Sequence, residues 1–316
     1  MLAEPPALAI IAPCYNEEEV LPISVPAFRS LLDRLKDAGK ISHSSHLFLV
    51  DDGSSDATWS LIEQYAHDNA DLKGLKLTRN RGHQNAVLAG MMEAEGDLLV
   101  SIDVDCQDDH NAIEDMVDAF MDEGAQIVYG VRSERRTDSV FKRVTAEGFY
   151  RFLRALGVEV VFNHADFRLL SRRAVESLRS FEEVNLFLRG MTPMLGYKTA
   201  IVTYTRAERA AGESKYPLTK MLSLAWEGIT SLSIRPLRLI TSLGAGVALI
   251  SILGGVFAIG QALLGATVSG WASLAVAVTF LGGVQLLAIG VVGEYIGKIY
   301  LETKRRPRFL VEKRVP

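Results

Sequence analysis

The sequence predicts an α/β fold: a doubly wound, mostly parallel sheet, followed by an amphipathic interface helix and two transmembrane helices. Three observations carry that expectation. Over residues 1–216, short apolar runs of strand length alternate with helix-length amphipathic segments. A polar cluster follows each strand run in turn. Further along, no charged side chain occurs between Leu239 and Gly293. Strand–helix alternation is the pattern of a parallel sheet whose crossovers are helices.

Leu8–Ala12 reads as the first strand and Glu17–Lys36 as the first helix. Leu47–Val50 and Ala57–His67 form the second pair, Gly74–Leu77 and Gln84–Ala94 the third. Asp97–Val100 is the fourth strand, followed by a helix over Ala112–Met121 and a fifth strand at Gln126–Tyr129. The polar clusters are Tyr15–Glu17, Asp51–Ser54, Arg79-Asn80, Asp103–Asp108 and Gly130–Arg132. All five are expected at the carboxyl ends of strands, the rim where open α/β sheets bind ligands.

The uncharged run is long enough, at about 1.5 Å per residue, for two crossings of about 30 Å of hydrocarbon. Gly265–Trp271 breaks it, so spans are expected over 239–264 and 271–294. Arg235 and Arg238 precede the first span, and Lys298, Lys304, Arg305, Arg306 and Arg308 follow the second. The positive-inside rule then puts the N-terminal domain and both termini in the cytoplasm. Residues 217–235 place Leu218, Met221, Leu222, Ala225, Trp226, Ile229 and Leu232 near helical spacing. That suits a helix lying in the membrane interface, although packing against the soluble domain gives the same pattern. The expected domains are therefore 1–216 cytoplasmic, 217–235 interfacial, 236–297 a transmembrane hairpin and 298–316 a basic cytoplasmic tail.

A net charge of −4 gives no basic field for nucleic acid. Cys14 and Cys106, far apart in sequence, offer neither a disulfide framework nor zinc spacing. The N-terminal stretch carries no signal-peptide pattern. No Gly-x-Gly-x-x-Gly follows a strand and no Walker lysine loop occurs, which argues against a dinucleotide dehydrogenase or a P-loop enzyme.

The chemistry centres on Ser101-Ile-Asp-Val-Asp-Cys-Gln-Asp108. Asp103 and Asp105, one residue apart at a strand end, can share a hard cation such as Mg2+ or Mn2+. Such an ion bridges a diphosphate and stabilises it as it leaves. An acidic loop capping the next helix reads the same way locally.

The ordered set resolves more than any single motif. Pro13-Cys-Tyr-Asn-Glu17, Val50–Asp56, Arg79-Asn80, Asp103–Asp108, Ala165-Asp-Phe-Arg168 and Arg206-x-x-Arg209-x-x-Gly212-x-Ser-Lys-Tyr216 occur in that order. Together they resemble the family 2 glycosyltransferases of GT-A fold, and more narrowly the polyprenyl-phosphate glycosyltransferases. The resemblance covers essentially the whole chain. It implies transfer of one sugar from a UDP- or GDP-sugar to undecaprenyl or dolichyl phosphate, with Mg2+ or Mn2+ as cofactor. It also implies a homo-oligomer embedded in a bilayer, most naturally the bacterial inner membrane.

The same resemblance assigns roles. Pro13, Tyr15 and Glu17 would line the base and ribose pocket, with Asp52 contacting base or ribose. Asp103, Val104 and Arg132 would bind the nucleotide sugar. Asp103, Asp105 and Gln107 would hold the metal. Arg206, Arg209 and Lys215 would face phosphates, which suit guanidinium forks and an ammonium. Asp105 and Asp166 would be catalytic, with Asp166 either a base or a carboxylate that positions the acceptor. Structural pairing of Asp166 with Arg168 is the competing role.

Some positions depart from the family pattern. Asp109-His110 stands where two prolines are common, and a tryptophan is missing near Met194-Leu195, so the sugar stays open. His83 either touches the sugar or caps its helix. Two other function classes share these features: a processive polysaccharide synthase and a non-enzymatic nucleotide-binding scaffold. The first would carry Gln-x-x-Arg-Trp, which is absent here. The second gives no reason for Asp166 beside Arg168.

Overall fold

The computed structural model describes residues 4–133, 164–184, 186–205, 229–231, 233–264 and 270–316. They fall into two units: one takes the described residues up to 205 together with 306–316, the other those from 229 to 305.

The first unit is built on one sheet. Its strands are β1 Leu8–Cys14, β2 His46–Asp51, β3 Leu72–Leu77, β4 Leu98–Ser101, β5 Ile127–Arg132, β6 His164–Ser171, β7 Thr199–Tyr204 and β8 Val311–Val315. They lie in the order β7-β5-β6-β4-β1-β2-β3-β8. β1 pairs in parallel with β2 and β4, β2 with β3, and β5 with β7. The sheet is mixed and mostly parallel, as expected.

Strand runs apolar on both faces bury both faces. Leu8, Ile10, Ala12 and Cys14 of β1 point into one core layer, while Ala9 and Ile11 point into the other. Helix α1, Leu21–Asp37, presents Leu21, Val25, Phe28, Leu32 and Leu35 to the first layer at helical spacing. Helix α2, Thr58–Asp68, adds Trp59 and Ile62 there, and α4, Ala112–Glu123, adds Ile113, Met116 and Val117. Helix α3, His83–Glu93, is buried along Ala86–Met92 and fills the second layer. A Cβ on Gly90 would lie 2.3 Å from Ile11 Cγ2 and 3.0 Å from Val50 Cγ2. The bare glycine therefore lets α3 press on β1 and β2, which fixes where its first residue, His83, emerges.

Three features differ from the sequence reading. Gly130–Arg132 is not a cluster beyond the fifth strand but the end of β5 itself. Strand β6 is inserted antiparallel between β4 and β5, with Ser101 opposite Arg168. The Ser101 hydroxyl donates to the Asp166 carbonyl at 2.6 Å, seating Asp166 beside the strand that carries the Asp103 motif. Finally, 298–316 is not only a basic tail: Val311–Val315 is an edge strand antiparallel to β3. Its two end valines are half-buried while Glu312, Lys313 and Arg314 stay exposed, and Val315 packs on the core beside its backbone partner Gly74.

Two further helices lie in this unit, α5 at Arg172–Arg179 and α6 at Leu188–Met194. The second unit contains α7, Arg235–Leu263, and α8, Trp271–Thr303. Both are long and apolar enough to cross a membrane. Ile250, Phe257, Leu286 and Ile289 expose more than half of their surface. At its charged end α8 is anchored within this unit, where Lys298 Nζ donates to Thr230 Oγ1 at 2.6 Å and Ser231 Oγ at 3.0 Å. Of the interface helix expected over 217–235, residues 217–228 and 232 lie outside the described residues.

Candidate active site

A cleft of about 310 Å³ opens at the carboxyl ends of β1, β2 and β4. Pro13, Cys14, Tyr15, Glu17, Asp52, Asn80, Gly82, His83, Ala86, Asp103, Val104 and Asp105 line it. Seven of the sequence-predicted residues are therefore brought together: Pro13, Tyr15, Glu17, Asp52, Asp103, Val104 and Asp105.

The loop after β1 is held by the loop after β2. Ser55 N–H donates to Asn16 Oδ1 at 2.9 Å, and Glu17 N–H to Thr58 Oγ1 at 2.8 Å. Asn16 sits at φ 55, a left-handed conformation that asparagine tolerates. Tyr15 is left half-exposed at the cleft mouth.

Asp52 works as a loop organiser. Its Oδ1 accepts from Arg81 N–H at 2.7 Å and its Oδ2 from Gly82 N–H at 2.9 Å. Burial raises its carboxyl above the ordinary range, and the two N–H donors offset part of that rise. Gly53, at φ +71, brings its Cα so close that a Cβ would meet Arg79 C and Asn80 N at 2.6 Å. The Asp-Gly pair thus draws the β3–α3 loop over the cleft and delivers Gly82 and His83 to it. The base-or-ribose contact expected of Asp52 is joined by this structural duty.

The metal motif follows β4. Asp105 Oδ1 accepts from Gln107 N–H at 3.1 Å, and Cys106 turns through φ 52. Gln107 is buried and is not among the lining residues. Among the described residues no three His, Cys, Asp or Glu side chains converge as a ready-made metal cage. Asp103 and Asp105 nevertheless both line the cleft. Two carboxylates suit Mg2+ or Mn2+, which usually completes its shell with phosphate oxygens and water.

Arg132 turns toward Asp108. Its Nη2 lies 3.3 Å from Asp108 Oδ1 and its Nε donates to Tyr204 Oη at 3.2 Å. In this structure the guanidinium braces the loop of the metal motif. Arg206, Arg209 and Lys215 lie outside the described residues.

Asp166 is not among the lining residues and lies beside one of them, His83. Arg168 Nη2 donates to Asp166 Oδ1 at 2.5 Å. Arg189, at the start of α6, forks onto the same carboxylate through Nε at 3.1 Å and Nη2 at 3.0 Å. Arg168 is fully buried, and its Nη1 donates to Leu188 O and Thr192 Oγ1. Burial pushes the Asp166 carboxyl up, but the charges of Arg168 and Arg189 outweigh it and hold the group well below the usual carboxylate range. Both the expected pairing with Arg168 and an unexpected second cation are present.

His83 lies between Asp103 and Asp166. Its Nε2 lies 3.6 Å from Asp103 Oδ1 and 3.5 Å from Asp166 Oδ2. Gly82, not His83, is the N-cap of α3, and no side chain caps that end. Burial pushes the Asp103 carboxyl up, with His83 pulling the other way. Arg189 was missed in the sequence; the one signal was a charged residue inside the apolar run Leu186-Phe-Leu-Arg-Gly-Met191.

The model for glycosyl transferase family 2 matches residues 9–179, from β1 through α5. The chain belongs to glycosyl transferase family 2. It is a glycosyltransferase, built on the mixed α/β sheet described above. Glycosyltransferase YkoT of Bacillus subtilis, itself uncharacterized, is 48% identical over 97% of this chain and 91% of its own. A prophage bactoprenol glucosyl transferase homolog of Escherichia coli is 40% identical over 97% of this chain and 98% of its own. The bactoprenol glucosyl transferase of Shigella phage SfII is 41% identical over 97% of both chains. Among solved structures, the mannosyltransferase PcManGT of Pyrobaculum calidifontis, in complex with GDP-Man and Mn2+, is 17% identical. The match covers 93% of this chain and 88% of that one at a TM-score of 0.44.

Proposed function

We propose that this glycosyltransferase moves one sugar from a UDP- or GDP-sugar to a polyprenyl phosphate. The products are a polyprenyl phosphosugar and a nucleoside diphosphate. The observation that carries this reading is the extent of the relationship to the bactoprenol glucosyl transferases. It runs over 97% of the chain, through the cleft and the two apolar helices alike. A lipid acceptor explains why one chain carries both.

Asp103 and Asp105 are the residues that would hold Mg2+ or Mn2+, which supplies charge neutralisation on the leaving diphosphate. Tyr15, Glu17 and Pro13 would receive the nucleoside. The acceptor is already a phosphate anion, so its oxygen needs no general base. That agrees with the state of Asp166, whose low proton affinity makes it a poor base and whose two guanidinium partners make it a poor nucleophile. Its part is to position the groups around it. The Cys14 thiol, buried and pushed well above its ordinary range, is an equally poor nucleophile. These states favour a single in-line displacement, turning an α-linked donor into a β-linked product. Electrostatic preorganisation of this kind is often the largest catalytic contribution.

The test is to incubate membranes with a panel of radiolabelled UDP- and GDP-sugars. One label should pass into an organic extract only when polyprenyl phosphate is present, and NMR of the product should give inverted anomeric configuration. Label that enters no lipid, or a retained configuration, overturns the corresponding half of the proposal. For topology, we propose two spans with both ends cytoplasmic. Support comes from β8, which pairs with β3 of the cleft-bearing sheet although both apolar helices intervene in sequence. An even number of crossings meets that requirement. A reporter fused after Pro316 should be active only on the cytoplasmic side.

A further inference from the structure

We propose that His83 recognises a hydroxyl group of the transferred sugar and thereby sets donor specificity. The imidazole lines the cleft and its side chain is 41% exposed. Its Nε2 faces Asp103 Oδ1 at 3.6 Å and Asp166 Oδ2 at 3.5 Å. We assign the ring proton to Nε2, because a lone pair there would face two carboxylates. At those distances the N–H is too far from either oxygen for a good hydrogen bond. A donor with two acceptors beside it, each just out of reach, is a site for a small group that both donates and accepts.

Three ligand groups enter this cleft under the proposed function: a nucleoside, phosphates and a sugar. An ionised phosphate meeting this nitrogen could accept from it but carries no proton to give to either carboxylate. The nucleoside is matched to Pro13, Tyr15 and Glu17 on the other strand end. A sugar hydroxyl fits: its oxygen accepts from Nε2–H and its proton goes to Asp103 or Asp166. The clamp of Arg168 and Arg189 keeps Asp166 an acceptor throughout. Position supports the same assignment, since the leaving diphosphate's candidate metal ligand, Asp103, is one of the two carboxylates. The sugar is the group attached there. His83 is thus a specificity residue, held in place by the pressure of α3 on β1 and not by any capping role.

The experiment uses the full chain in detergent with Mn2+ and measures affinity for UDP-glucose, UDP-galactose, UDP-N-acetylglucosamine and GDP-mannose, each against its free nucleotide. In the wild type, the preferred sugar adds affinity beyond its nucleotide. In His83→Ala that increment falls about tenfold while the free nucleotide binds as before, and His83→Gln, which keeps a donor, restores part of it. A fall in nucleotide affinity by the same factor, or an unchanged increment, overturns the proposal. Should His83→Ala fail to fold, a set of donor sugars deoxygenated at one carbon at a time reads the same contact in the wild type. One member loses about tenfold; a flat series overturns the proposal. The inference rests on the nucleotide-sugar reading above, and the two fail differently. If no nucleotide sugar binds the wild type, that reading falls; if one binds and His83 does not matter, only this inference does.

Discussion

Asp103 and Asp166 flank the same imidazole at nearly the same distance, yet their surroundings push them in opposite directions. Asp103 stands at the end of β4 among carboxylates: Asp166, Asp105 and Asp108 all add to the effect of burial and raise its carboxyl. Asp166 stands on β6 between two guanidiniums, and its carboxyl is lowered although it too is buried. Around Asp103 negative charge is in excess; around Asp166 the protein already neutralises it. The lesson is that residue type does not set role. A carboxylate left short of positive charge suits an incoming metal, whereas one saturated by arginine is a fixed strut.

The largest expected effect comes from the carboxylates that lack positive charge. Asp105→Asn should lower turnover by about a thousandfold, or about 4 kcal/mol of barrier, while far-UV circular dichroism stays as in the wild type. Chelation of divalent cations should have the same effect on the wild type. Full turnover in chelator would erase the contrast between the two surroundings.

How much of this was readable beforehand follows from how each feature is encoded. The strand–helix alternation, the Asp103–Asp105 pair and the Tyr15–Glu17 cluster are local patterns, and the structure carries them where the pattern said. Arg189 pairs with a residue 23 positions away on another element, and no local pattern encodes such a contact. Strand β8 is five residues long, too short and too charged to stand out from the basic stretch preceding it. Only the partner β3 makes it a strand. The order of β6 and β5 was equally silent, because antiparallel insertion depends on pairing and not on periodicity. His83 was legible as a position but not as a role, since capping and cleft-facing look alike until Gly82 is seen at the cap.

Identical substitutions at the two carboxylates sharpen the comparison. Asp166→Asn removes the partner of Arg168, which is 0% exposed, and leaves a buried cation without its carboxylate. That should cost about 3 kcal/mol of stability by denaturant unfolding. Asp103→Asn, measured in chelator, removes a charge that its surroundings disfavour, so stability should hold or rise. Equal losses at both sites would mean that the electrostatic difference between them has no energetic weight.

The smallest effect is the most diagnostic, because it reads the clamp through pH. Arg189→Met removes one of two forks from Asp166, whose other partner remains. A charge-assisted hydrogen bond at a partly exposed arginine is worth about 1 to 2 kcal/mol at neutral pH. The Asp166 carboxyl is depressed in the folded state. Its contribution is therefore complete above the unfolded value of about 3.9 and fades as pH falls through the folded value. The stability gap between wild type and Arg189→Met should thus be constant from pH 7 down to about pH 5 and narrow below about pH 4. The pH dependence of turnover should show no acid limb belonging to Asp166 in the neutral range, since the group stays ionised there. A gap that persists unchanged at low pH would mean that Arg189 stabilises α6 through packing instead of charge. A limb near neutrality that vanishes in Asp166→Asn would return Asp166 to the role of base.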